Sequence, residues 1–202
     1  MEMTGEQLIP APQEETWEAL NDPAVLKQCV PGCEAIDPVG ENQYQVLMVA
    51  RVGPVSAKFK GKLTLSDIKA PDSYSIAFEG QGGPAGFAKG GAQVRLSSET
   101  STQTRLSYDV KASVGGKLAQ IGSRLVDAAA KKVADDFFRN FNEKVGALHA
   151  APAEGESAEH EEHHIEPVPR DPDLPDVSAT TLRFVAAGAL VVTAVALVAF
   201  FG

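Results

Sequence analysis

The chain has 202 residues, of which 44% are apolar, and it carries a formal net charge of −9 at pH 7. Its length indicates one domain with an appendage. Residues 149–180 contain nine Asp or Glu and one Arg, so residues 1–148 carry a net charge of only −2. We therefore expect this domain to have no strong electrostatic field that would favour nucleic acid or an anionic lipid surface.

The N-terminal part is predicted to form a first strand before Pro10 and then two short helices. The first helix is expected over residues 13–20, because apolar residues recur there at helical spacing and glutamates fall in its first turn. Asp22 followed by Pro23 is typical of an N-cap and the first helical position, so a second helix should begin there. The segment Pro31-Gly32 should end it.

Four segments after the helices alternate between apolar and polar residues, which is typical of strands with one buried face. The residues predicted to face inward are Val55, Ala57, Phe59, Gly61, Leu63, Leu65, Tyr74, Ile76, Phe78, Val94, Leu96, Leu106, Tyr108, Val110 and Ala112. A further strand is expected over residues 43–52. Its middle is apolar on both faces, which predicts that both faces of this strand are covered more fully than those of the other strands. Turns are predicted at residues 71–72, 80–91 and 98–102, so the strands should form an antiparallel sheet covered on one side.

The cover is predicted to be one long helix over residues 117–148, about 45 Å in length. Its apolar stripe is predicted to comprise Leu118, Ile121, Leu125, Ala129, Val133, Phe137, Phe141, Val145 and Leu148. On the solvent-facing side of this helix, two pairs of residues have the i,i+4 spacing of ion pairs: Lys131 with Asp135, and Lys132 with Asp136. The domain is therefore expected to span residues 1–148.

The C-terminal quarter is predicted to be a linker and a membrane anchor. Residues 149–180 are acidic and rich in Pro, so we expect a disordered linker. Residues 184–202 form an uncharged run, which as a helix of about 28 Å nearly matches the ~30 Å core of a bilayer. Residues 181–202 are thus predicted to be a transmembrane helix, with a core or interface helix as the alternative.

The charge beside this run indicates its orientation. Arg183 precedes the run, so the positive-inside rule leaves the globular domain in the cytoplasm. No secretory signal is visible at the amino terminus. We therefore expect a tail-anchored protein of the cytoplasmic membrane whose Cys29 and Cys33 are reduced.

The predicted order of elements resembles the helix-grip fold of START domains, polyketide cyclases and plant allergen-type ligand binders. Within it, residues 1–148 resemble the CoxG family, the G subunit of carbon monoxide dehydrogenase, through WEALNDPAVLKQCVPGCEAI, VGPVSAKFKGKLTLSDI, GPAGFAKGGAQVRL, TRLSYDV and GGKLAQIGSRLVDAAAKKVADDFF. The resemblance implies an α+β fold, with a curved antiparallel sheet of about six or seven strands around a long C-terminal helix.

The resemblance also implies a function. Such a protein would accompany a molybdenum, flavin and iron-sulfur CO dehydrogenase or a related hydroxylase, recruit it to the membrane and assist its maturation. It would bind a quinone, menaquinone or ubiquinone, and so link the enzyme to the respiratory chain. The alternatives are an adaptor or maturation factor without a ligand, and a cyclase-type enzyme.

A hydrophobic ligand would lie between the sheet and the long helix. The candidate wall residues are Phe59, Phe78, Phe87, Tyr108, Leu125, Phe137 and Phe141. Because a packed core and a ligand cavity both need apolar inward faces, ordinary core packing remains the alternative for each of them.

The same residues argue against catalysis. Every His lies at position 149 or later, so the domain has no imidazole for acid–base chemistry. Only Tyr74 and Tyr108 are expected to bring ionisable groups to the inward face. His160, Glu161 and His164 match H-E-x-x-H, but they lie in the acidic linker without an apolar face, so we expect no zinc enzyme there and at most adventitious metal binding.

Three further features each leave two interpretations open. Cys29 and Cys33 either pack around a turn or form a redox or metal-handling pair. The glycine-rich residues 80–91 form either a hairpin with Phe87 tucked under its rim or a lid at a cavity mouth. Lys58, Lys60 and Lys62 form an outward basic row, either solvated or in contact with an acidic partner or lipid headgroups.

Overall fold

The structure, a computed structural model, describes residues 1–150. The predicted anchor lies outside this part, as does the predicted linker apart from its first two residues, which continue the last helix. Among the helices of residues 1–150, none is long and apolar enough to cross a membrane.

Seven strands and four helices make up the described part. In chain order they are β1 (Glu2–Ile9), α1 (Gln13–Asn21), α2 (Pro23–Cys29), β2 (Cys33–Gly40), β3 (Gln43–Val52), β4 (Val55–Lys69), β5 (Ser73–Gln81), a 3₁₀ turn (Gly83–Ala85), β6 (Phe87–Thr100), β7 (Gln103–Gly115), α3 (Lys117–Gln120) and α4 (Ser123–Ala150). The strands form a single sheet in the order β1-β7-β6-β5-β4-β3-β2. Every neighbouring pair is antiparallel, as predicted.

Both short helices are confirmed. The Asp22 carboxylate accepts a hydrogen bond from the Ala24 N–H at 2.7 Å and so caps α2. Gly32 follows with φ of +72°, and an added Cβ there would lie 2.2 Å from the Val49 carbonyl oxygen. This turn therefore needs glycine.

Two features of the sheet differ from the prediction. β2 was not predicted as a strand, because it contains Pro38 and only Ile36 of its residues is buried. The break predicted over residues 80–91 is much shorter, since β5 and β6 continue into it and leave only residues 82–86 between them. Pairing between β5 and β6 compensates for the weak strand propensity of the glycines there.

The alternation of the sheet is confirmed, because one face is buried and the other is exposed. Tyr74, Ile76 and Phe78 on β5, for example, are each at most 3% exposed. In the middle of β3, Leu47 and Val49 on the outer side are only half-buried, so the fuller cover expected there is partial.

The long C-terminal helix is interrupted. Gly122 has φ of +94° and separates α3 from α4, so residues 117–148 do not form the one helix that was predicted. The break changes which residues face inward at the start of α4: Val126 is 2% exposed, whereas Leu125 is 51% exposed. Farther along, Phe137 and Phe141 are fully buried, as predicted.

The elements define two ends of the domain. One end, here called the loop end, carries the β3–β4 turn, the 3₁₀ turn and the α3–α4 junction. The other end, here called the helical end, carries α1, whose Gln13 side chain donates a hydrogen bond to the Pro71 carbonyl in the β4–β5 turn. α4 finishes at the helical end, where His149 Nδ1 lies 3.0 Å from Glu15 Oε2.

Candidate ligand-binding interior

Five of the candidate wall residues lie in the interior between the sheet and α4. They are Phe59, Phe78, Tyr108, Phe137 and Phe141, each at most 7% exposed. The Phe137 ring stacks on Phe141 with centroids 5.6 Å apart, and Tyr108 stacks on Phe138 at 5.5 Å. An aromatic layer of α4 therefore packs directly on the sheet.

Phe87 and Leu125 do not line this interior. Phe87 is 47% exposed because its position in β6 has the parity of Lys89, which faces outward. Its ring covers Gly115, where an added Cβ would lie 2.3 Å from a ring carbon. Leu125 is 51% exposed because of the break in the helix at Gly122, and Val126 takes the inward position instead.

Tyr74 places an unpaired hydroxyl in the interior. Its side chain is 2% exposed, and its oxygen has no hydrogen-bond partner in the described part of the chain. The ring makes an edge contact with Trp17, with centroids 5.4 Å apart. Burial raises the pKa of Tyr74 far above its ordinary value, so its hydroxyl stays protonated and can donate a hydrogen bond to a ligand acceptor.

Two other phenols face inward. Tyr44 was missed in the sequence, although the alternation of residues 43–52 places it beside the other buried positions of β3. Burial raises the pKa of Tyr44, and burial together with the charge of Asp135 raises that of Tyr108. The described interior therefore offers phenols that stay protonated near neutral pH rather than a group poised to act as a base.

The Tyr108 hydroxyl lies at the edge of the domain. An added Cβ on Gly5 would be 2.3 Å from this oxygen, so β1 passes directly over it. A groove of about 410 Å³ runs between β1 and α4 here, and Asp127, Lys131 and Asp135 contribute to its wall. The pairing of Lys131 with Asp135 at 2.9 Å was predicted, as was that of Lys132 with Asp136 at 2.6 Å.

The two cysteines behave as packing residues. Both are free thiols, and Cys29 is 1% exposed. Burial raises the pKa of each thiol to about 11, although nearby lysines oppose the shift. The Asn140 side chain donates a hydrogen bond to the Cys29 carbonyl at 3.1 Å and so joins α4 to α2. These observations favour the packing interpretation over a reactive pair.

The structure describes no metal site in residues 1–150, since no three His, Cys, Asp or Glu residues there come together as ligands. The H-E-x-x-H motif at His160 lies outside the described residues.

The glycine-rich connection closes the interior at the loop end. Gly82 lies against Phe59, where an added Cβ would be 2.0 Å from the ring. Gly116 lies close to Gly86, with 2.5 Å between an added Cβ and the Gly86 Cα. The backbone of this connection therefore packs tightly over the end of the interior.

The larger surface depressions lie on the outer face of the sheet. One of about 850 Å³ is lined by residues that include Lys58, Lys60 and Lys62. Lys58 pairs with Glu34 at 2.7 Å. These depressions are open and charged, so they suit an apolar ligand poorly.

Comparison with known proteins identifies the family. The family model for CoxG, the G subunit of carbon monoxide dehydrogenase, matches residues 5–146. This chain belongs to the CoxG family. The comparison with curated proteins found no significant match.

Solved structures share the fold of this chain. A conserved protein from Geobacillus kaustophilus is 31% identical, with a TM-score of 0.69, over 73% of this chain and 96% of that one. A START superfamily protein from Mycobacterium smegmatis is 12% identical, with a TM-score of 0.58, over 73% and 98%. The Zhui aromatase/cyclase from Streptomyces sp. R1128 is 13% identical, with a TM-score of 0.57, over 76% and 98%. The latter two show a shared helix-grip fold.

Proposed function

We propose that this protein is a membrane-anchored, non-catalytic accessory protein of a molybdenum-containing CO dehydrogenase or a related hydroxylase. It recruits the enzyme to the cytoplasmic membrane and binds a quinone, menaquinone or ubiquinone, that links the enzyme to the respiratory chain. The observation that carries the proposal is the match of the CoxG family over residues 5–146.

The interior supports the binding of a ligand with a long apolar part and a polar head. Its sheet face and its α4 face are apolar. Phe59, Phe137 and Phe141 are at most 1% exposed, so they pack closely, and a ligand would enter by moving them apart. Tyr74 supplies a buried donor without a described acceptor. A quinone carbonyl is an acceptor that fits this donor, while the aromatic layer suits the ring and its prenyl chain. A bound quinone supplies two-electron redox chemistry, and the protein supplies the enclosure and the hydrogen bond.

The titratable groups support a role without catalysis. The interior phenols have raised pKa values, and His149, the first His in the sequence, lies on the last turn of α4. A general base that works near neutral pH needs a pKa near 7. The cyclase-type alternative rests only on the fold shared with the Zhui aromatase/cyclase.

The apolar run of residues 184–202 supports the anchor, and the acidic residues 151–180 support a flexible tether. A coil of about thirty residues spans roughly 30 Å on average. The domain could then exchange quinone at the membrane and still reach an enzyme in the cytoplasm.

Two variants separate the quinone carrier from an adaptor without a ligand. Deletion of residues 181–202 should release the enzyme into the soluble fraction under either function. Ala130→Leu adds volume to a fully buried position on α4, so it should reduce the bound quinone only if the interior holds the ligand. Ala128→Leu, at an exposed position of the same helix, is the matched control.

The assay is quinone content per chain and membrane-associated CO dehydrogenase activity in cells that express each variant. We expect A130L to lower both quinone content and electron delivery while the enzyme stays at the membrane. If A130L folds normally and changes neither, the adaptor function is correct and the carrier function is wrong.

A further inference from the structure

The charges of residues 1–148 are separated along the chain. Residues 42–66, 80–98 and 110–126 together contain nine Lys or Arg and no Asp or Glu. The rest of the domain contains seven Lys or Arg and 18 Asp or Glu. The net charge of the domain is therefore small although its basic and acidic residues lie in different segments. The expected weak electrostatic field holds only for the domain as a whole.

Each acid-free segment includes a connection at the loop end. They contain, in order, the β3–β4 turn, the 3₁₀ turn, and α3 with the Gly122 break. Arg51, Lys117 and Arg124 lie on or beside these connections and are exposed. None of these three forms an ion pair with another described residue. The loop end thus presents unpaired positive charge.

The same end exposes two large apolar side chains. Phe87 is 47% exposed at the start of β6, and Leu125 is 51% exposed in the first turn of α4. Leu125 reaches the β3–β4 turn, with its Cδ1 3.9 Å from an added Cβ on Gly53. The sequence places no acidic residue on these connections, so apolar side chains and cations share one surface. This combination is typical of protein surfaces that enter the headgroup region of a membrane.

We propose that the loop end, through Arg51, Phe87, Lys117, Arg124 and Leu125, docks onto an anionic lipid bilayer. The apolar side chains enter the boundary between headgroups and acyl chains, and the cations meet lipid phosphates. This contact is additional to the anchor at residues 181–202. The glycine-rich connection closes one end of the interior, and docking also turns that end toward the membrane.

The length of the chain beyond α4 permits this orientation. α4 has 28 residues, so it carries the chain about 42 Å from the loop end to the helical end before residue 150. The roughly thirty residues from there to the predicted anchor can extend to about 100 Å. The domain can therefore turn its loop end toward the bilayer that holds its C-terminal tail.

Tryptophan fluorescence of the full chain tests this docking. The native Trp17 lies at the helical end, and it is the only Trp in the sequence. The W17F/F87W and W17F/L125W variants move the fluorophore to exposed positions of the loop end. Each protein is reconstituted in vesicles of brominated phosphatidylcholine, with or without phosphatidylglycerol, since bromine quenches tryptophans that enter the acyl region.

We expect strong quenching for both loop-end tryptophans in vesicles with phosphatidylglycerol, and little for Trp17. This test rests on the anchor of the proposed function: with that anchor inserted in every variant, the signal reports orientation rather than attachment. R51E/R124E should lower the docking equilibrium constant on the order of 30-fold or more, from about 1 kcal/mol per cation near an anionic surface. K27E/K69E makes the same charge change at exposed residues outside the loop end and should leave the quenching unchanged.

Other outcomes would overturn the proposal. Quenching of Trp17 that equals or exceeds that of the loop-end tryptophans would mean that another face meets the lipid. Equal quenching with and without phosphatidylglycerol, or no effect of R51E/R124E, would remove the role of the cations. Absence of quenching in all vesicles would assign the loop end to something other than lipid, such as an acidic protein. None of these results depends on whether the interior binds quinone.

Discussion

Replacement of Tyr74 by Phe tests the unpaired hydroxyl in the interior. The side chain is 2% exposed and its oxygen has no partner in the described part of the chain, so folding buries this hydroxyl without a hydrogen bond to another described residue. Such a group destabilises the folded state by about 1 to 3 kcal/mol. Phe keeps the ring and therefore its edge contact with Trp17 at 5.4 Å.

We therefore expect Y74F to stabilise the ligand-free protein by about 1 to 3 kcal/mol. For a domain of this size, that raises Tm by roughly 2 to 12 °C. With quinone bound this gain in stability should shrink, because the wild-type hydroxyl then has an acceptor. The loss of a neutral hydrogen bond of about 0.5 to 1.5 kcal/mol should raise the quinone Kd roughly 2- to 13-fold.

The assay is thermal unfolding of the full chain in detergent, followed by circular dichroism, with and without added quinone. Tyr108→Phe is the control, because it keeps the ring in the candidate wall and removes only a hydroxyl beside the groove between β1 and α4, so Tm and the quinone Kd should stay nearly unchanged. If Y74F destabilises the ligand-free protein, the hydroxyl already has a partner, such as a buried water, and the reasoning is refuted. An unchanged quinone Kd would remove Tyr74 from the ligand site.

Three further predictions concern packing and the thiols. Val126→Ala should destabilise the fold by about 2 kcal/mol and Leu125→Ala by less than about 1 kcal/mol in urea unfolding, and the reverse order would contradict the Gly122 break. Gly116→Ala should lower Tm more than Gly122→Ala does. Both glycines have positive φ, but only at Gly116 would an added Cβ also meet neighbouring backbone, so equal Tm values would refute this contact. Cys33 should react with a disulfide reagent at pH 8 about 100-fold more slowly than a thiol with the ordinary pKa of 9.0, because burial raises the pKa of Cys33 to about 11. The rate of an ordinary thiol would contradict this burial.

The thiols also predict a pH dependence of stability. Burial raises the pKa of Cys29 and Cys33 in the folded state, so the unfolded chain releases these protons at lower pH. The contribution of the two protonated thiols to the free energy of unfolding is fully present below about pH 9 and is lost as the pH rises to about 11. Urea midpoints should fall over this interval, and C29A/C33A should reduce the fall; an unchanged slope would contradict the assignment.

The sequence predicted most of the sheet, because one buried face imposes a period of two that few other structures share. Phe59 and Phe78 could be placed inward on parity alone. Phe87 could not, because the glycines around it hid the start of β6 and with it the parity of that residue. β2 was missed for a related reason, since an edge strand with one buried residue has almost no apolar pattern.

The helix prediction failed where the backbone, rather than the pattern, decides the outcome. Leu125 fits the apolar stripe of an uninterrupted helix, but Gly122 at φ of +94° ends that continuity. The unpaired Tyr74 hydroxyl could not be predicted either, because the absence of an acceptor depends on every neighbour in space. The charge of the loop end was visible in the sequence, but only the fold brings the three acid-free segments together.

Extraction of the native ligand tests the central claim most directly. The full chain is purified from its own membranes, extracted with organic solvent, and the extract is analysed by mass spectrometry with A130L and A128L as the matched pair. The proposed function predicts about one prenylated quinone per chain in the wild type and in A128L, with a marked loss in A130L. Phospholipid alone, or no ligand, in wild-type protein that still associates with CO dehydrogenase would contradict the carrier function.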